Sequence, residues 1–190
     1  MKEKQFSTYQ IVFVAVMAAI VCVVTFFRFP LLGSKVHFAN AMCLISGMLF
    51  GPLLGGLSAG LGSMLYDALF GGYDLANCLI TFVSKFLMAA ICAWLSFGGK
   101  KEAEGKAQHA RLVAGSVVGA LSYVALYMLK TYIYQRFIYA YPLDAVLVTL
   151  AGKLPASLIN AVFAMIVAPI LYAAIAPALR RKGLLEKLRK

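Results

Sequence analysis

The chain has 190 residues, of which 63% are hydrophobic and 13% charged, and a formal net charge of +11. A soluble domain of this length could not hide so much apolar surface, so the composition excludes a globular water-soluble fold and points to an all-α integral membrane protein. The positive charge resembles a nucleic-acid footprint only until its positions are read: it clusters at the chain ends and in one linker, so no nucleic-acid partner is expected.

Apolar runs of about 20 residues cross a hydrocarbon core of about 30 Å. Six such spans are predicted, at 8–28, 35–50, 52–70, 75–97, 111–133 and 146–178, in a single domain covering residues 1–190. The first follows "MKEKQ" and lacks a small-residue cleavage site, so it reads as a membrane helix rather than a leader. It carries Ala15 and Ala19 in "AVMAA", a small-xxx-small pair that suits either close packing inside the bundle or an external helix. The second span is short, begins as irregular chain near Gly33, and opens with His37 and Asn40. "FGP" at 50–52 reads as a tight turn into the third span, with Pro52 placed in its first turn.

Polar residues in the remaining spans recur at helical spacing. The third span offers Ser63 and Asp67, the fourth Asn77, Thr81 and Ser84 with Lys85 beside them, and the fifth Tyr123, Tyr127 and Lys130. The sixth offers Lys153, Ser157 and Asn160, with Pro155 predicted to kink it or mark a restart. Spacing of i, i+4, i+7 puts each set on one face of its helix. "FGGYD" at 70–74 is a glycine-driven turn, and "GGKKEAEGKAQHAR" at 98–111 is the one strongly polar linker.

With the N-terminus inside, Lys2, Lys4, Lys100, Lys101, Lys106, Arg111 and the six basic residues from Arg180 onward all face the cytoplasm. The positive-inside rule therefore predicts a multi-pass cell-membrane protein with both termini cytoplasmic and basic ends against anionic lipid. On that topology the polar stripes share the outer half of the membrane, which predicts an outer-face cavity floored by apolar side chains. Lys85 is the costliest member, since a mid-span charge costs at least about 2.5–3.5 kcal/mol, and it needs a partner such as Asp67 or a ligand. Interhelical hydrogen bonding without a ligand is the plainer account of any single Ser, Thr or Asn. Cys22, Cys43, Cys78 and Cys92 have no metal-ligand spacing, and no catalytic or ATP-binding motif is present. No catalytic residue, metal or cofactor is expected.

"AVMAA", the run "SGMLFGPLLGGLSAGLGSMLYDALFGG" and "LITFVSKFLMAA" together resemble the substrate-binding S components of energy-coupling factor (ECF) vitamin transporters. The resemblance implies a six-helix S-component bundle that captures a vitamin from outside. It would hand its load on through a membrane coupling subunit driven by two cytoplasmic ATPase subunits. It also implies that Ala15 and Ala19 dock on the coupling subunit and that loops close over the ligand, with "FPLLGSKVHF", "FGGYDLAN" and "QRFIYAYPLD" as lid candidates. Lys35, His37, Tyr73 and Asp74 are the lid residues on this reading. Asn40, Tyr66, Asp67, Asn77, Thr81, Lys85, Tyr123, Tyr127, Lys153 and Asn160 are the expected ligand contacts, the tyrosines stacking on a flat heteroaromatic ring. A pyridoxine- or hydroxymethylpyrimidine-type ligand is favoured over riboflavin, because the "LDFSD"-like segment associated with riboflavin carriers does not follow the first span. The alternatives are a self-contained homo-oligomeric carrier or channel, and a membrane assembly factor with no small ligand.

Overall fold

The computed structural model describes residues 7–31, 34–98 and 106–189. Half of the polar linker, residues 99–105, and the basic residues Lys2, Lys4, Lys100, Lys101 and Lys190 lie outside the described residues. Helix α1 (Thr8–Phe26) opens on a capping box: Ser7 accepts from the Gln10 amide, and the Gln10 side chain accepts from the Ser7 amide. A two-stranded hairpin follows, β1 (Arg28–Leu31) and β2 (Ser34–His37), and then helix α2 (Ala39–Tyr66). The rest is α3 (Leu75–Phe97), α4 (Lys106–Ile133), α5 (Leu143–Arg181) and the short α6 (Leu184–Arg189). Single π-helical turns, Asp67–Gly71 and Tyr134–Ile138, prolong α2 and α4.

Among the described residues five helices are long and apolar enough to cross a membrane, against six expected spans. The difference lies in α2, which contains the second and third expected spans and is folded back on itself at Gly51. The hydroxyl of Ser46 donates to the Gly55 carbonyl at 2.9 Å, and the Cys43 sulfur lies 3.8 Å from the Ser63 hydroxyl. In a straight helix residues 43 and 63 would stand about 30 Å apart. Gly51 (φ 80°, ψ −177°) makes the reversal, in a backbone region that only glycine enters readily, and Pro52 opens the second arm. The first arm, residues 39–50, is about 18 Å long at ~1.5 Å per residue and so reaches only part of the way through a bilayer.

The hairpin corrects the expected start of the second span at 35. Pro30 lacks an amide donor and pushes Phe29 into extended backbone, and β1 then pairs antiparallel with β2, Phe29 opposite Val36 and Pro30 opposite Lys35. The sixth span also differs. It runs as one helix through Pro155, Pro169 and Pro177, so Pro155 marks no restart.

The folded-back α2 is the centre of the bundle, packed against α1, α3 and α5, with α4 joining α3 to α5. Leu44, Ile45 and Met48 from its first arm meet Met88 and Cys92 of α3 in a fully buried core. By contrast α1 buries only Met17, Ala18 and Val21, and leaves Val12, Ala15, Val16, Ala19, Ile20 and Val23 exposed. Thr8 and Arg181 lie at one end of the bundle; the β hairpin, the 71–74 turn and the start of α5 lie at the other.

Candidate ligand-binding site

The polar faces converge at the hairpin end of the bundle around a cavity of about 770 Å³. The second arm of α2 supplies Ser63, Tyr66 and Asp67, and α3 supplies Asn77, Thr81, Ser84 and Lys85. Tyr123, Tyr127 and Lys130 enter from α4, and Lys153, Ser157 and Asn160 from α5. Asn40 lies in the first turn of α2, and the hairpin adds Arg28, Pro30, Lys35 and His37. All ten side chains expected to contact a ligand therefore line one cavity, and Lys35, His37 and Tyr73 line it with them.

Asp74 does not. It is the N-cap of α3, accepting from the Asn77 amide at 3.0 Å and from the Asn77 side chain at 2.5 Å. Those two bonds hold its carboxyl below the usual carboxylate range. The sequence carries the signal: an aspartate ahead of an apolar run, after a glycine turn, is a helix start.

Lys85 is 3% exposed, and its ammonium donates to the Asn40 side-chain oxygen while lying 3.6 Å from the centre of the Tyr123 ring. The expected Lys85–Asp67 pairing is thus replaced by an amide oxygen and an aromatic face. Asp67 instead lines the cavity together with Thr81. Tyr123 and Tyr127 stack, with planes 21° apart and centres 6.3 Å apart, and present a continuous aromatic wall.

Asn160, expected to touch a ligand, spends its carboxamide on the hairpin. It accepts from the His37 amide and donates to the Lys35 carbonyl, both at 2.8 Å, as a neighbouring strand would. This two-point clasp fastens β2 to α5 across the cavity mouth. Two net hydrogen bonds at about 0.5–1.5 kcal/mol each predict that the His37 amide exchanges with solvent roughly 5- to 150-fold faster in Asn160→Leu. Hydrogen exchange read by mass spectrometry over residues 34–38 checks this, and unchanged protection would refute the clasp. His37 itself faces the cavity with its Nδ1 buried and unpartnered among the described residues. Burial, reinforced by the nearby Lys85 and Arg28, pushes its pKa down to about 3, so it presents a neutral imidazole.

Sequence reasoning missed Arg28 and Tyr134, which also line the cavity, while Gln135 and Tyr139 reach it from the expected "QRFIYAYPLD" lid segment. Tyr134 continues the α4 stripe beyond Lys130 by another four residues, a signal hidden by ending the span at 133. Arg28 stands at the end of the first expected span. The hairpin returns it over the Tyr66 ring, 5.1 Å from the ring centre.

Residues 5–177 match the family model described as the S component of the ECF-type riboflavin transporter. The chain belongs to that S-component family. Its backbone is similar to the S component in the solved "Structure and mechanism of the S component of a bacterial ECF transporter". The TM-score is 0.63 at 20% identity, over 90% of this chain and 96% of that one. A relative from Pyrococcus woesei, described as "Uncharacterized protein in gap 3'region", is 32% identical over 108 residues. That match spans 56% of this chain and 66% of the relative, just under two thirds of its length. Membership of that family, with the long apolar helices, makes the protein a multi-pass membrane protein.

Proposed function

We propose that this S component captures a flavin-sized vitamin from the outer face of the membrane. The observation that carries the reading is the cavity itself: about 770 Å³, walled by stacked tyrosines and flanked at its mouth by a clasped hairpin. Such a volume is in the range of sites that enclose a drug-sized ligand. A single pyridine or pyrimidine ring would leave most of it empty, whereas a tricyclic ring with a polyol tail uses both the aromatic wall and the polar rim. That argument, with the family match, reverses the preference for pyridoxine or hydroxymethylpyrimidine drawn from the missing "LDFSD"-like segment.

On this reading the ten cavity residues named from the sequence serve the ligand unequally. Tyr66, Tyr123 and Tyr127 stack, and Asp67, Asn77, Thr81, Lys85 and Lys153 meet polar atoms. Asn40 holds Lys85, and Asn160 holds the lid. The single domain crosses the membrane with both termini in the cytoplasm, where the basic ends meet anionic lipid. A thermal-shift panel of vitamins tests the ligand. Riboflavin-class compounds at about 100 times Kd are expected to raise the melting temperature by roughly 5–11 °C, and single-ring vitamins by much less. A panel with no shift would overturn the reading.

Transport also needs a source of energy that this chain does not encode, so we place it in a complex with a membrane coupling subunit and two cytoplasmic ATPase subunits. Ala15 and Ala19, both exposed on the thinly packed face of α1, leave room for a partner helix to approach closely. Ala15→Trp with Ala19→Trp is expected to abolish co-purification of the ATPase pair while leaving ligand binding by the isolated protein intact. Retention of the complex would place the dock elsewhere.

A further inference from the structure

A second concavity lies at the opposite end of the bundle, between the end of α3 and the start of α4. It is a notch of about 180 Å³ lined by Trp94, Leu95, Gly98 and Arg111. Leu75 to Trp94 is about 28 Å of helix at ~1.5 Å per residue, close to the ~30 Å of a hydrocarbon core. Trp94 therefore stands one membrane thickness from the hairpin end, at the depth of the headgroups, and is 65% exposed. Tryptophan favours that depth because its apolar body meets lipid chains while its indole N–H meets polar groups. Gly98 keeps the notch open. Its amide donates to the Trp94 carbonyl, and a methyl group at this position would strike that carbonyl and press on the Trp94 ring.

Among the described residues Arg111 is the only charged group lining the notch; it is half-buried, and no hydrogen bond or ion pair engages it. Its five N–H donors are thus left without a protein acceptor. We infer that the notch binds the phosphate of an anionic phospholipid, with Arg111 paired to the phosphate oxygens, Trp94 at the headgroup and Leu95 against the acyl chains. A guanidinium meets a phosphate in a two-point geometry that an isolated ammonium does not offer. The carboxyl end of α3 lends the notch partial negative charge, so an anion settles there only because Arg111 supplies a full positive one. The volume suits a headgroup phosphate and its neighbours, since sites for whole small molecules run to about 300–1,000 Å³. Lipid is favoured over free phosphate because Trp94 and Leu95 are both exposed at the end of a helix long and apolar enough to cross a membrane. The site is separate from the hairpin-end cavity and independent of what that cavity binds.

The test uses the full chain in phosphatidylcholine vesicles and reads the emission of Trp94, the chain's single tryptophan, which reports on this notch alone. Phosphatidylglycerol and phosphatidylcholine, each brominated on the upper part of the acyl chains, serve in turn as quenchers. Phosphatidylglycerol is expected to reach half-maximal quenching at about a fivefold lower mole fraction. In Arg111→Gln that ratio is expected to fall to about one. Arg181→Gln with Lys182→Gln, which removes two exposed charges outside the notch, is expected to keep most of it. Equal quenching by the two lipids in the parent protein would overturn the inference, and that comparison needs no variant to fold. An equal loss of preference in both variants would overturn it too, by assigning the attraction to the overall charge of that end of the bundle. Relief of the quenching by soluble glycerol phosphate would make the notch a free-phosphate site and refute the lipid assignment.

Discussion

Replacing Lys85 with methionine is expected to leave the unliganded protein folded with little change in melting temperature, and to weaken vitamin binding by at least about 30-fold. The two halves of that result come from the same burial. Lys85 is desolvated, and its direct contacts are neutral, the Asn40 amide and the Tyr123 ring. Removing a buried charge in favour of an apolar side chain of similar length is often neutral or stabilising. Asn40 loses a partner, which costs about 1–3 kcal/mol and offsets the gain. On the proposed reading the ligand loses a charge-assisted contact in a partly desolvated site, worth about 2 kcal/mol or more, and that is the 30-fold. The reciprocal change behaves differently: Asn40→Leu strands the ammonium without its acceptor and is expected to destabilise by about 2–5 kcal/mol. Thermal unfolding and ligand titration on the two variants check the asymmetry. If Lys85→Met melted far below the parent yet bound normally, Lys85 would be an element of the fold and not of the site.

The site was readable from the sequence because it is built on helix faces. Asn77, Thr81 and Ser84, or Lys153, Ser157 and Asn160, share a face by spacing alone, and the cavity collects those faces as expected. Spacing within a helix does not say which residue of the next helix it meets. Lys85 therefore found Asn40 rather than Asp67, and Asn160 found the backbone of β2 rather than open space. The hairpin was hidden for another reason. Four-residue strands carry almost no periodic signal, and these owe their form to Pro30 and to pairing with each other. Cavity volume, on which the proposed choice between one ring and three rests, belongs to the packing and is not written in any segment.

The reversal of α2 supplies the second large effect. Gly55→Ala is expected to destabilise the protein, although alanine is a better helix former than glycine by about 0.8–1 kcal/mol. A methyl group built at Gly55 would lie 2.5 Å from the Gly47 Cα and the Ser46 carbonyl oxygen, and 2.7 Å from the Gly47 nitrogen. All three are backbone atoms, so no rotamer change relieves the contact and the two arms must separate. Their separation would break the Ser46–Gly55 hydrogen bond and disturb the contact of Gly47 with α3, where a methyl group would strike the Ala89 carbonyl. Overpacking of this kind costs about 1–3 kcal/mol, more where backbone must move, and so outweighs the propensity gain. Gly55→Val should be worse again and fail to give a monodisperse product in detergent. Because Asn40, Ser63, Tyr66 and Asp67 hang on the two arms, ligand affinity should fall along with the melting temperature. An alanine variant that melted at or above the parent would mean that residues 47 and 55 do not meet, and α2 would then have to be a straight helix with its polar residues divided between opposite ends of the bundle.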